Sequence, residues 1–215
     1  MPHDIHRRTP RYTGRSLPPY RYRPGRTPHP RRDVSGHSYA QPEPLTNAWI
    51  PQQWRTLESW LYAADLFNEH YWWECHEQLE ALWKAAGKKN APARFVRGAI
   101  QIAAACLHRE CGKEASAIKQ ARAGLATIES AIQGHDGTFM GVHVDHWMKD
   151  VRRWIEEPQA AVPRIELGIT SNEACPRAAE RVDLHRNRSI ARPRGNRKKE
   201  GPAFRRALPK RGQSL

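Results

Sequence analysis

All eight tryptophans of this chain lie between Trp49 and Trp154, and that clustering confines the fold more than any other feature. Large aromatic side chains dominate core burial. A chain that concentrates them in about half its length therefore has one core there. The flanks are built from different material. From Met1 to about Pro51 the sequence is rich in Pro, Arg, Tyr and Gly, with Leu17-Pro-Pro-Tyr-Arg-Tyr-Arg-Pro-Gly-Arg-Thr-Pro-His-Pro30 at its centre. Proline removes backbone donors and disfavours helix in the residue before it, so this stretch is expected to be extended or turned.

Charge divides the chain at the same places. Residues 1–50 hold 9 Lys and Arg against 3 acids, residues 51–158 hold 13 against 14, and residues 159–215 hold 14 against 5. The net +14 of the whole chain thus resolves into +6, −1 and +9. The expected organisation is a Pro/Arg-rich arm over 1–50, partly docked around 18–37 through Tyr20 and Tyr22, then a helical domain over 51–158 and a disordered basic tail over 159–215. Low apolar content and high charge leave such a tail unable to offset its ordering entropy. A basic surplus on flexible arms favours weak contact with nucleic acid or another polyanion through counterion release, without specifying one.

Within the domain the apolar residues recur at helical spacing. The pattern predicts helices over about 52–69, 71–86, 92–111, 113–132 and 145–157. Pro92 suits a first helical turn, Gly87 and Gly112 suit helix ends, and Pro158 stops the last helix. Gly134, Gly137 and Gly141 mark a loop. No strand-like alternation occurs, so the fold class is all-α, an antiparallel bundle of about five helices. No stretch approaches the apolar length of a membrane span. The four cysteines, Cys75, Cys106, Cys111 and Cys175, show no metal-binding spacing. They suit a reducing compartment, and a cytoplasmic protein is expected.

The second predicted helix carries the candidate chemistry. Weighted by its tryptophans, it places His76 in the middle of the apolar stripe with Glu80 beside it and Glu77 further round. Buried polar groups need partners, because an unsatisfied one costs about 1–3 kcal/mol. The third helix offers a polar stripe of Arg97, Gln101 and His108. These six residues are expected to converge, either as a network that fixes bundle register or as a pocket. No metal is expected: the second histidine of HExxH and the ExxH repeat of di-iron bundles are both missing. No cofactor is expected, since neither a Gly-rich phosphate loop nor a nucleophile elbow occurs. His143 and His146 with Asp145, and His29, Asp33 and His37 in the arm, are weaker metal-like groupings.

The run Phe67-Asn68, Glu74-x-His76-Glu77-x-x-Glu80-x-x-Trp83, followed by Gly98-Ala-Ile-Gln101, resembles bacterial proteins of the domain-of-unknown-function family 309. The resemblance spans roughly residues 61–132. It implies an all-helical domain with this His/Glu signature on facing helices and no established activity. The arm segments Pro19–Gly25, Pro28–Pro30 and Gly36-His37 look like an extension carried by some relatives, whereas the basic tail is not a family feature. His70-Tyr71 stands where the family often has glycine.

Two functions remain open from sequence. One is a non-catalytic ligand- or protein-binding module. The other is a metal-assisted or acid/base, hydrolase-like enzyme built on His76, Glu77 and Glu80.

Overall fold

The computed structural model describes residues 11–87, 89–134, 137–157 and 159–168. The chain divides into two units, 1–179 and 180–215, and every described residue belongs to the first. The tail expected beyond residue 168 lies outside the described residues, as do residues 1–10.

A 3-10 turn, Pro51–Thr56, leads into α1 (Glu58–Asn68), α2 (Trp72–Ala85), α3 (Ala91–Glu110) and α4 (Glu114–Ile132). A two-stranded hairpin, β1 (Thr138–Phe139) and β2 (Val142–His143), precedes α5 (Val144–Glu156). Consecutive helices pack on one another, as an all-α bundle with short connections requires. None of the described helices is long and apolar enough to cross a membrane.

Two local departures from the sequence pattern have clear causes. The helix expected over 52–69 is broken at Leu57, whose backbone leaves the helical region at φ −81 and ψ 83. The 3-10 turn before it sets the Trp54 ring directly against Gly141, where an added Cβ would lie 2.6 Å from ring carbons. The expected glycine loop contains a hairpin whose two central residues, Met140 at φ +49 and Gly141 at φ +80, both take the left-handed region. Tight hairpin turns of the type that matches strand twist need that pair of angles. Methionine gives no sequence signal for it.

The closest helix contact is α3 on α4. A Cβ at Gly98 would run into the Ile128 side chain and lie 2.9 Å from the Gly124 carbonyl, and one at Gly124 would meet Ile102 and the Gly98 carbonyl. The two glycines therefore set the crossing. At the N-terminus of α3 the Asn90 side chain accepts from the Ala93 N–H at 2.9 Å, satisfying a donor the helix cannot pair internally.

The core is aromatic at its centre. Phe95 contacts Trp60, Phe139 and Trp147 with ring centroids 4.9–6.3 Å apart. The Trp60 indole N–H donates to the Met140 carbonyl at 3.1 Å, so the largest buried side chain also ties the hairpin to α1.

Helix α1 is buried on all sides from Trp60 to Asn68, and the reason lies outside the bundle. Two extended segments, straps, lie on it. The amino-terminal strap, residues 11–50, begins at the buried Tyr12. Its Tyr12 and Thr13 N–H groups donate to Asp65 at 2.7 and 2.9 Å, and the Thr13 hydroxyl adds a third bond at 2.6 Å. The carboxy-terminal strap inserts Ile165 and Leu167 into the core. Ile165 exchanges two bonds with the Asn68 amide, at 2.8 and 2.9 Å, and Leu167 N–H donates to the Tyr12 hydroxyl at 2.9 Å. The folded body thus reaches beyond the expected limits of 51 and 158 on both sides. Asp65 and Asn68 act as side-chain substitutes for a neighbouring strand, supplying the acceptors and donors that a single extended segment lacks.

Candidate functional site

The buried polar residues of α2 are Glu74 and Gln78, not the predicted His76 and Glu80. Cys75, Leu79 and Leu82 are fully enclosed and fix which face meets the bundle. His76 and Glu80 sit on the other side, with side chains 36% and 37% exposed. Sequence weighting misplaced the face because Trp73 and Trp83 are only half-buried. They shield the outer side of α2 rather than entering the core.

Glu74 and Gln78, one turn apart, are covered by the amino-terminal strap. Oε1 of Glu74 accepts from the Tyr22 N–H at 2.8 Å and lies 3.0 Å from His37 Nε2. Both side chains of the His37–Glu74 pair are 5% exposed. The second oxygen, Oε2, is enclosed and has no hydrogen-bond partner. A buried carboxylate oxygen left open is costly. That oxygen has no accessible surface of its own, but other atoms of Glu74 line a cavity of about 150 Å³ between strap and α2 together with Gln78, Glu77, His37, Arg31 and Arg15, with Tyr62 and Trp73 among its apolar walls.

Strap arginines complete the electrostatics. Arg31 Nε lies 3.0 Å from Glu77 and its Nη1 donates to the Gln41 carbonyl at 3.2 Å, which fixes it in place. The His76 imidazole, 3.7 Å from Glu77, and then Arg31 hold the Glu77 carboxyl below its ordinary value despite partial burial. Arg15 stacks its guanidinium on the Tyr62 ring at 3.9 Å and has no carboxylate partner among the described residues. Three other arginines of the strap are paired with acids of the bundle, Arg11 with Asp65 and Arg21 and Arg23 with Glu110.

Ser38 Oγ lies 2.8 Å from His37 Nδ1, so Ser38, His37 and Glu74 form a line with the connectivity of a nucleophile–base–acid relay. Acyl transfer also needs donors aimed at the developing oxyanion. The Ser38 N–H donates to the Pro30 carbonyl at 3.0 Å and the His37 N–H to the Tyr20 hydroxyl at 3.1 Å. Neither is free for that role. The line fastens the strap to α2.

Of the six predicted residues, three come together. His76, Glu77 and Glu80 offer ligand atoms within 4.8 Å of one another, but Glu77 is paired with Arg31 and Glu80 with Lys84 at 3.6 Å. Arg97 is exposed on α3. Gln101 lies against α4, its Cβ 3.3 Å from where a Gly124 Cβ would be, with its side-chain oxygen enclosed and unpaired. His108 is half-buried. Among the described residues no hydrogen bond or ion pair joins Arg97, Gln101 or His108 to the α2 cluster. The expected convergence across α2 and α3 is therefore corrected: Glu74 and Glu77 take partners from the strap, and Glu80 pairs with Lys84 within α2.

The signal missed in sequence was the i, i+3, i+4 set Glu74, Glu77 and Gln78, which places three polar groups on one side of α2. The cysteines add no nucleophile, because burial raises the Cys75 and Cys106 thiols above their ordinary range. Among the described residues the arm grouping His29, Asp33 and His37 does not meet as a metal site.

The fold and site define a helical bundle closed by two straps, with a polar cavity under the first. Residues 60–120 match the family described as domain of unknown function (DUF309), the family the sequence resembles. That segment contains Glu74, Glu77 and Gln78, whereas Arg15, Arg31 and His37 of the strap lie before it. No curated protein matches the chain.

Proposed function

We propose that the chain is a non-catalytic binding module whose ligand is a small polar molecule held between α2 and the amino-terminal strap. One observation carries this reading: the buried Glu74 and Gln78 line one cavity together with His37, Glu77, Arg31 and Arg15. Binding sites characteristically combine a concave space with a few convergent polar groups.

A thermal-shift screen of small polar metabolites against the full chain tests this. At a hundredfold excess over Kd a ligand stabilises by about 2.7 kcal/mol, a shift of several degrees. Ser38→Phe fills the cavity from the strap side and should abolish every such shift while leaving the helical spectrum intact. Hits that persist in Ser38→Phe, or no hits at all, would refute the reading.

The metal-assisted or acid/base enzyme built on His76, Glu77 and Glu80 remains a second reading because their ligand atoms are close. It would gain support from stoichiometric zinc binding that is lost in His76→Ala. The free buried thiols support a reducing, cytoplasmic setting. Polyanion contact is assigned to the basic segment beyond residue 168, because Arg11, Arg21, Arg23 and Arg31 of the strap already have acidic partners. Truncation after Gly168 should remove salt-sensitive retention on heparin, and truncation before Ile165 would strip Ile165 and Leu167 from the core.

A further inference from the structure

The exposed large apolar side chains among the described residues all lie between Val34 and Ile50: Val34, Tyr39, Leu45 and Ile50 are 78%, 45%, 88% and 51% exposed. Single apolar side chains scattered over a surface need no explanation, whereas a group confined to one segment marks a contact. This segment joins the docked strap to the bundle. We infer that it is a hinge through which two copies of the chain exchange residues 11–38, each strap docking on the bundle of the other copy.

The fastenings lie on either side of the hinge. Before it, Tyr12, Thr13, Tyr22, Arg31 and His37 are held by acids of α1 and α2. After it, the Thr46 hydroxyl donates to Ser59 Oγ at 3.0 Å and the Trp49 indole N–H to the Leu82 carbonyl at 3.1 Å. Residues 42–45, between the two sets, make no backbone hydrogen bond. Glu43 there meets Lys84 at 3.5 Å, but that pair is exposed and such pairs hold little.

Closed on its own bundle, the hinge is strained. Ser38 to Gln41 form a turn, closed by the Gln41 N–H on the Ser38 carbonyl at 3.2 Å, and Ala40 within it stands at φ +56. That left-handed backbone is unfavourable for a residue with a Cβ and easy for glycine. Directly after it comes Gln41-Pro-Glu-Pro44. Each proline fixes its own φ and keeps the residue before it extended, so a stiff stretch follows a strained turn.

Exchange relieves both. An opened hinge from Tyr39 to Leu45 runs straight over about 23 Å, enough to cross to a second copy, and Ala40 returns to extended backbone. Every bond between strap and bundle is remade, which is why swapping an identical element is a low-cost route to a dimer. The two hinges pass each other at the dimer axis, where the apolar residues of one cover those of the other. The cavity under each strap then takes Arg15, Arg31 and His37 from the second copy.

Light scattering on the full chain, equilibrated from micromolar to millimolar concentration, should show a dimer that grows with concentration. Ala40→Gly, at an exposed position, accepts the closed turn without strain and should raise the dimer Kd at least about tenfold, since two hinges are relieved per dimer. Crosslinking shows whether the straps are exchanged. Arg23→Lys keeps a cation facing Glu110, and a carbodiimide joins the two side chains as an amide. In an equilibrated mixture of isotopically light and heavy chains, about half of the crosslinks in the dimer should join a light to a heavy chain, and none in the monomer. Like-isotope crosslinks alone in the dimer would overturn the exchange, showing copies that meet without trading straps. Monomer at every concentration would overturn it as well and leave the apolar segment to a different partner. A dimer Kd unchanged by Ala40→Gly would overturn the hinge.

Discussion

Asp65 and Glu74 are both buried acids that receive the amino-terminal strap, yet they are finished differently. Asp65 accepts three hydrogen bonds on its two oxygens and has the Arg11 guanidinium 3.3 Å away. Glu74 has one oxygen doubly engaged and the other enclosed without a partner. A carboxylate closed by backbone N–H groups is an anchor, since its removal orphans the donors it served. A carboxylate left half-open in an enclosed place is maintained at a cost in stability, and such sites are characteristic of function rather than of folding. The same strap thus closes one acid completely and encloses the other half-satisfied.

Substitutions should separate the two. Asp65→Ala leaves the Tyr12 and Thr13 N–H groups buried without partners and should cost about 3–5 kcal/mol in denaturant unfolding; a loss below about 1 kcal/mol would remove the distinction. Asn68→Ala deletes the two bonds to Ile165 and should cost about 2 kcal/mol, with proteolysis opening between residues 159 and 168. Glu74→Gln retains acceptors for the strap and should change unfolding by under about 1 kcal/mol. A loss matching that of Asp65→Ala would make Glu74 a second anchor.

Glu77 gives a pH-dependent test of strap docking. Its folded-state pKa lies below the ordinary 4.5, so its contribution is fully present above 4.5 and disappears as pH falls through the depressed value. Hydrogen exchange over residues 21–41 should quicken in that acid range in the native chain, and Glu77→Gln should flatten the change. Smallest of all, the pair His76→Gln and Glu80→Gln should alter stability by about 0.5 kcal/mol or less, because both side chains face outward.

The helices were legible because apolar spacing and the stops at Gly87, Gly112 and Pro158 agree. Two things were not. The turn at Met140 uses a backbone conformation its residue type does not announce. The phase of α2 is not legible from its tryptophans, because Trp73 and Trp83, despite their size, lie half-buried at the edge of the core. More generally, Glu74 and Gln78 look exposed in any reading confined to the bundle. What buries them is a strap some forty to fifty residues earlier in sequence, docked through side-chain acceptors that leave no periodic trace. Of the six candidate residues, His76, Glu77 and Glu80 lie close together, and Glu77 lines the cavity.

The most direct measurement is a high-resolution crystal structure of the full chain. It should show the Tyr22 N–H and the His37 ring on Glu74 Oε1, with the space between strap and α2 open. Both Glu74 oxygens bonded to groups of the protein, with that space closed, would contradict the distinction between the two acids and the binding reading built on it.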